Sequence, residues 1–371
     1  MESVDVLIVG GGPAGSSLAL GLRGSGLHVR VMDRAVFPRD KTCAGWVTPP
    51  VWRALAVDLA EYAAGGRTLQ PLRGFQVGRM GGKLARASGD AVVSHGIRRC
   101  ELDAFLLARC GAEQRLGDAV RTLERSANGW CVNGTLHARL LVGAGGHFCP
   151  VARALMASEP KEPPIAAQEI ELPLSDEQAA QTRIDPERPE IWFLRDLSGY
   201  AWAFRKGRFL NVGLGRHGGA DLHAQLLAFL GAMQRAGRVP ASWDGAAHGH
   251  AYLTYGATRR PLQQPGVALI GDAAGLAYPK SGEGIRPAVE SGLLLARALR
   301  RARDVADPGA LEEYERALIG RFGPRRVARG GTSAPRWQAA LARPLFARAW
   351  FARHVIVDRW FLNSGQAALP A

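Results

Sequence analysis

Residues 4–34, VDVLIVGGGPAGSSLALGLRGSGLHVRVMDR, decide the fold. Val4 to Val9 is a short apolar run of the kind that fills a parallel strand buried on both faces. Gly10-x-Gly12-x-x-Gly15 follows at once and opens a helical pattern from Ser16 to Arg23. HVRVMD then reads as a second strand ending on Asp33. The spacing has a physical cause. Gly10 permits the sharp turn, Gly12 lets the backbone approach a pyrophosphate, and Gly15 lets helix and strand pack closely. Pro13 and Ala14 lie at the mouth of the helix, whose unpaired N–H groups and positive end suit phosphates. Asp33, with Arg34 beside it, falls roughly 20 residues on, where an acid accepts hydrogen bonds from a ribose. The stretch is a dinucleotide-binding strand–helix–strand unit. By itself it does not separate NAD from FAD.

A second motif lies far along the chain, GVALIGDAAGLAYPKSGEGIRPAVESGLLLARALRRA over residues 266–302. Val267 to Ile270 reads as a strand, Gly271-Asp272 ends it, and a long helix begins around Gly284. A glycine-rich helix start again stands beside a strand end. Together, GGGPAG…D and GDAAG…P-x-x-G-x-G-I resemble the FAD-binding flavoproteins of the para-hydroxybenzoate hydroxylase fold. The resemblance covers about residues 1 to 300. It implies that Gly271 and Asp272 hold the ribityl chain of FAD. Pro279, Gly282, Gly284 and Ile285 would line its isoalloxazine, with the helix dipole favouring negative charge there. GIRRCELDAFLLARCG (96–111) looks like the family's R-x-x-x-D helix start. Arg99 would then reach the FAD pyrophosphate region, with Arg98 its rival.

DRAVFPRDKTCAGW (33–46) raises a question of its own, because it places Cys43 where no disulfide or zinc pattern asks for one. Its K-x-C-x-G element, with GYAWAFRKGRFLNVGLG (199–215) and PKSGEGI, resembles the geranylgeranyl reductase family, whose members include enzymes that saturate isoprenoid double bonds. That likeness implies a thiol near the flavin that relays a proton or tunes the flavin; a small residue packed in a tight place is the other reading. Tyr200, Trp202 and Phe204 alternate along a strand and so share one face, a wall for an apolar substrate or ordinary core.

The chain departs from the family in two places. Gly145 stands where many relatives carry the Asp of an Ala-Asp-Gly element linked to the nicotinamide coenzyme, and Arg205 replaces a usual Pro. Gly213-x-Gly215-x-x-Gly218 repeats the fingerprint, but no strand ending in an acid follows it, so it reads as the sheet-to-helix turn of the substrate half. His248 and His250 lie in a loop-like stretch and read as incidental.

The expected fold class is α/β, a Rossmann-like FAD-binding domain interleaved with a mixed β-sheet substrate domain and followed by a C-terminal helical region. The FAD-binding parts are expected at 1–75, 95–160 and 255–300, the substrate parts at 76–94 and 161–254, and the helical region at 301–371. Five cysteines, no zinc spacing and no metal site suit reduced thiols. No apolar run reaches a membrane span, and the opening residues look unlike a signal peptide, so the expected location is cytoplasmic. Net charge is +14, and from Arg316 onward there are ten arginines against one acid, Asp358. Residues 335–371 interleave Arg with Trp, Phe and Leu, which suits either peripheral membrane contact or a docked terminal helix. Nucleic acid is not expected.

The implied activity is that of an FAD-dependent oxidoreductase acting on an apolar organic substrate, with NAD(P)H or a reductase partner as reductant. Reduction of a C=C bond in an isoprenoid-like molecule, with Cys43 as proton donor, is the first reading. A monooxygenase using O2 is the alternative. A halogenase, for which no pocket lysine is obvious although Lys41 and Lys280 are candidates, and a non-redox flavoprotein come after it.

Overall fold

Two large sheets carry the architecture of the chain, for which a computed structural model describes residues 2–156, 164–256, 258–325, 345–346 and 348–370. In the first sheet the strands Val267–Leu269, Leu136–Gly143, Glu2–Val9, Val29–Asp33 and Glu113–Leu116 lie side by side in that order, all parallel. Val6, Leu7 and Ile8 are fully buried, as an apolar run without alternation requires of a strand covered on both faces. Helix Pro13–Gly21 packs along helix Ile285–Arg301 and touches helix Arg99–Arg109. The two glycine-rich motifs, far apart in sequence, are therefore neighbours in space.

The second sheet has the order His248–Tyr252, Ile165–Pro173, Phe209–His217, Gly199–Lys206, Glu190–Phe193, Gly74–Arg79, Ala85–Ser88. All pairs are antiparallel except that between Glu190–Phe193 and Gly74–Arg79. Its side chains sort by the two-residue period of a strand. Ala201 and Ala203 pack with Leu226 and Phe229 of helix Leu222–Arg235. Tyr200, Trp202 and Phe204 point to the opposite face, where Phe75 and Ile191 join them. Gly213 lies inside the strand Phe209–His217 rather than at a turn, and a Cβ there would collide with the Trp202 indole. The second glycine repeat thus makes room for an aromatic ring.

The stretch around His248 and His250, loop-like in sequence, forms the edge strand His248–Tyr252, paired on one side with Ile165–Ala167 and its neighbours. A short polar edge strand carries little apolar alternation, which is why its pattern is faint.

Helix Pro308–Phe322 packs on Ile285–Arg301, and a helical segment spans Ala349–Phe361. Phe346, Ile356, Val357 and Phe361 are buried against the aromatic face of the second sheet. Phe361 sits 5.6 Å from the Trp46 ring and 5.3 Å from Tyr200, centroid to centroid. The described part of the 335–371 arm is therefore docked through its apolar side, while Trp350 stays 68% exposed. Residues 335–344, 347 and 371 of that arm lie outside the described residues. Among the described residues no helix is long and apolar enough to cross a membrane.

Candidate active site

A cavity of about 720 Å³ opens where the carboxyl ends of the parallel strands meet the aromatic face of the second sheet. That volume falls within the range of small-molecule sites.

The glycine turn forms one wall. Gly10 has φ +120°, and the Ala144 carbonyl occupies the space a Cβ would need. Gly15 lies under the same turn, against the Gly10 carbonyl and Ile8, and does not reach the cavity. Gly12, Pro13 and Ala14 do reach it, at a helix start with no side-chain cap. Asp33 braces this turn, because its carboxylate accepts the Gly11 N–H at 2.8 Å and the Ala35 N–H at 2.9 Å while facing the cavity. Arg34 lines the cavity beside it.

Arg99 is the arginine of its pair that lines the cavity. It grips the fully buried Asp103 with two 2.8 Å hydrogen bonds. Burial opposes its charge, but Asp103 outweighs burial and holds the guanidinium above its ordinary range. Arg98 turns away to Glu171 and lies 3.7 Å over the Phe209 ring. Arg39 also reaches Asp103, at 3.2 Å, and lies close to Gly12. Sequence reading missed it, although its place in the basic run after Asp33 was a signal.

The second motif forms the far wall. Gly282, Gly284 and Ile285 line the cavity at the start of helix Ile285–Arg301, where the Glu283 carboxyl accepts the Arg286 N–H at 2.7 Å. Gly271 does not; it packs tightly on Ala14 and Ala288. Pro279 lies on a separate cavity with Tyr278 and Arg321. Asp272 faces the main cavity, and His250 Nε2 lies 3.3 Å from its Oδ2. Burial disfavours the Asp272 charge, but the His250 hydrogen bond and the nearby Lys41 and Arg99 cations prevail and hold its pKa below the usual range. Burial in turn pushes the His250 ring down, so it is neutral near pH 7.

Cys43, Tyr200 and Trp202 line the cavity together with Trp46 and Tyr252. Phe204 lies deeper, stacked on Trp46 at 5.6 Å, and is core. All five cysteines are free. Burial pushes the Cys43 thiol up; Arg99 opposes this and Glu169 adds to it. The side chain is thus a neutral thiol, a group that can give a proton.

Three further titratable groups converge here without having been assigned to the site. Lys41, named above only as a halogenase-type lysine, has its ammonium brought down to about 8 by burial, with Arg99 adding to it. Burial, then Arg260, takes His147 down to about 4. Glu283, between the two cavity glycines, is pushed up to about 7 by burial. Lys280 instead sits 5.6 Å over the Trp360 ring. Among the described residues no group of His, Cys, Asp and Glu could hold a metal ion.

The residues present fit FAD. The glycine cradle, the uncapped helix start at Pro13, the glycine-flanked start of helix Ile285–Arg301, Asp33 and Asp272 meet one cavity, as a ligand with phosphates and two polyol-like segments requires. The comparisons agree. Residues 3–48 match the family described as FAD binding domain. The menaquinone reductase of Mycobacterium tuberculosis is 29% identical over 327 residues, covering 82% of this chain and 78% of the relative. The geranylgeranyl diphosphate reductase of Rhodobacter capsulatus is 27% identical, with 79% and 74% covered. In structure, a geranylgeranyl bacteriochlorophyll reductase-like protein from Thermoplasma acidophilum superposes with a TM-score of 0.74 at 20% identity, over 94% of this chain and 88% of that one. With the cofactor cradle, the family match and relatives aligned over about three quarters or more of each chain in agreement, the chain is an FAD-binding oxidoreductase related to the geranylgeranyl and menaquinone reductases, close in fold to the para-hydroxybenzoate hydroxylase type.

Proposed function

We propose that this enzyme reduces a C=C bond in an isoprenoid-like molecule. The observation that carries the reading is the Cys43 thiol, kept protonated by burial and facing the same cavity as the aromatic wall of Trp46, Tyr200, Trp202 and Tyr252. The names of two relatives, a menaquinone reductase and a geranylgeranyl diphosphate reductase, support the substrate class.

In this reading Gly10, Gly12 and the helix start at Pro13 and Ala14 hold the FAD pyrophosphate, and Asp33 its ribose. Arg39 and Arg99 add positive charge, and Asp272 orients the ribityl end. Reduced FAD, when bound, supplies a hydride. The aromatic wall excludes water and lays the apolar chain flat, while Cys43 Sγ gives the proton that the second alkene carbon needs. Solvent then restores the thiol proton. NAD(P)H or a reductase partner provides the electrons, without the carboxylate that Gly145 replaces.

The test is anaerobic turnover with a reduced nicotinamide or dithionite and a set of polyprenyl compounds, read by mass spectrometry. A mass gain of two hydrogens on the substrate supports the reading. No hydrogenation, but incorporation of labelled oxygen from 18O2 in air, overturns it in favour of monooxygenation.

A further inference from the structure

The thiol is carried by a short loop, and three backbone groups at Cys43 and Ala44 are held by buried side chains of the second sheet. The Cys43 N–H donates to Glu169 Oε1 at 2.6 Å. The Cys43 carbonyl accepts from Asn211 Nδ2 at 3.3 Å. The Ala44 carbonyl accepts from Lys206 Nζ at 3.1 Å. Asn211 and Lys206 are fully buried and Glu169 is 5% exposed. They come from three adjacent strands, Ile165–Pro173, Gly199–Lys206 and Phe209–His217.

The cluster is tied together behind the loop. Glu171 pairs with Lys206, accepts from Asn211 at 2.9 Å and binds Arg98 at 3.1 Å. Trp202, on the cavity wall, donates Nε1–H to Asn211 Oδ1 at 2.7 Å. A buried carboxyl, ammonium and amide, with the partly buried Glu171, gathered beneath one loop are costly unless they serve each other or a function. Glu171 is fully engaged. Glu169 is not: its Oε2 is buried and unpartnered.

We propose that Glu169 is the positioning residue of Cys43, fixing the thiol toward the cavity through the Cys43 N–H and placing its carboxyl charge beside it, while Asn211 and Lys206 hold the other side of the loop. The meaning of this for turnover rests on the reading of Cys43 as proton donor; the geometry and the test below do not. The charged and titratable groups facing Cys43 are Lys41 on its own loop, Arg99 on its helix, Glu169 and Lys206 on the sheet, and Tyr200 and Tyr252 on the wall. Glu169 is the one carboxyl of that set; burial pushes it up to about 7, so above that pH it is ionised and raises the thiol's proton affinity.

Two variants of the purified flavoprotein separate charge from contact. Glu169→Gln keeps an oxygen for the Cys43 N–H and removes the charge. Glu169→Asp keeps the charge and draws the carboxyl back from the N–H. Iodoacetamide labelling of the Cys43 peptide, followed by mass spectrometry across pH 7 to 10, reads the thiol, with Cys43→Ser as blank. Amide hydrogen exchange reads the loop. Glu169→Gln is expected to move the labelling midpoint down by about one pH unit, roughly tenfold faster labelling at pH 8. Glu169→Asp is expected to speed exchange at residue 43 at least tenfold while residues 210–214 of the neighbouring strand keep their protection. A labelling profile in Glu169→Gln that overlays the parent, or an unchanged residue 43 amide in Glu169→Asp, overturns the proposal. Either variant alone decides it should the other not fold. Because neither readout uses a substrate, failure here is distinct from failure to hydrogenate an isoprenoid.

Discussion

His250 Nε2 and Asp272 Oδ2 lie 3.3 Å apart, joining the edge strand of one sheet to the strand-end turn of the other. A neutral imidazole donates to an ionised carboxylate there, and the carboxylate keeps lone pairs free toward the cavity. The pair thus fixes the side chain assigned to the ribityl end before any cofactor arrives.

Asp272→Ala is accordingly expected to release FAD, lowering affinity at least tenfold, whereas His250→Ala weakens it less because the carboxylate survives. Flavin fluorescence after ultrafiltration measures both. Full retention of FAD by Asp272→Ala removes the ribityl assignment.

Gly213→Ala sets a methyl group against the Trp202 indole. Overpacking of this kind costs about 1–3 kcal/mol. Urea unfolding should show that loss, with a shift in tryptophan emission, while the same substitution at Gly320, in a helix with open space around it, costs nothing and adds up to about 1 kcal/mol through helix propensity.

Glu290 is buried between Arg286, at 2.9 Å, and Arg321, at 2.6 Å. Both arginines also donate to the Ala367 carbonyl. Glu290→Ala leaves two guanidinium groups without their shared carboxylate, and loss of one partner of a buried pair costs about 3–5 kcal/mol. The expected result is that loss in urea, with faster proteolysis after residue 345. Equal stability to the parent contradicts it.

Glu283 gives a pH signature. Its carboxyl is raised from 4.5 to about 7 by burial, so the folded state holds a proton that the unfolded chain has already released. Its contribution to stability is therefore present below about pH 4.5, falls as pH rises toward 7, and stays lost above. Urea unfolding should show Glu283→Gln more stable than the parent at pH 8, by on the order of 3 kcal/mol or less, and of nearly equal stability at pH 4.5. A margin that is constant across this range rules the shift out. His147 titrates in the opposite sense between about 6.5 and about 4, and cancels in the comparison because both proteins carry it.

Local spacing made the first unit legible. Gly10, Gly12 and Asp33 do their work within one strand–helix–strand turn, so their order in the chain is also their order in space. Asp272 was legible for the same reason at the second turn. Lys41, His147, His250 and Glu283 reach one cavity from four separate segments, and no periodicity reports such convergence. Of the three aromatics read as either wall or core, Phe204 is core while Tyr200 and Trp202 reach the cavity, because alternation gives the face of a strand but not the depth along it. Glu169 and Glu171 carried a faint signal: two acids on alternate positions of a strand that is apolar apart from them and Gln168, answered by Lys206 on another. Pairing between strands is what turns that signal into a clamp, and pairing is not written in either strand alone.

Phe361 fills space among Trp46, Phe75 and Tyr200, and the carbonyls of Gln366 and Ala367 are held by Arg286. A chain leaving the ribosome completes its dinucleotide unit long before the segment that covers this aromatic face has been made. Until then the strand Gly199–Lys206 shows bare aromatic surface, the kind that chaperones capture and that drives aggregation. Yield of folded protein, more than cofactor affinity, is the property that tags and truncations after residue 345 will govern.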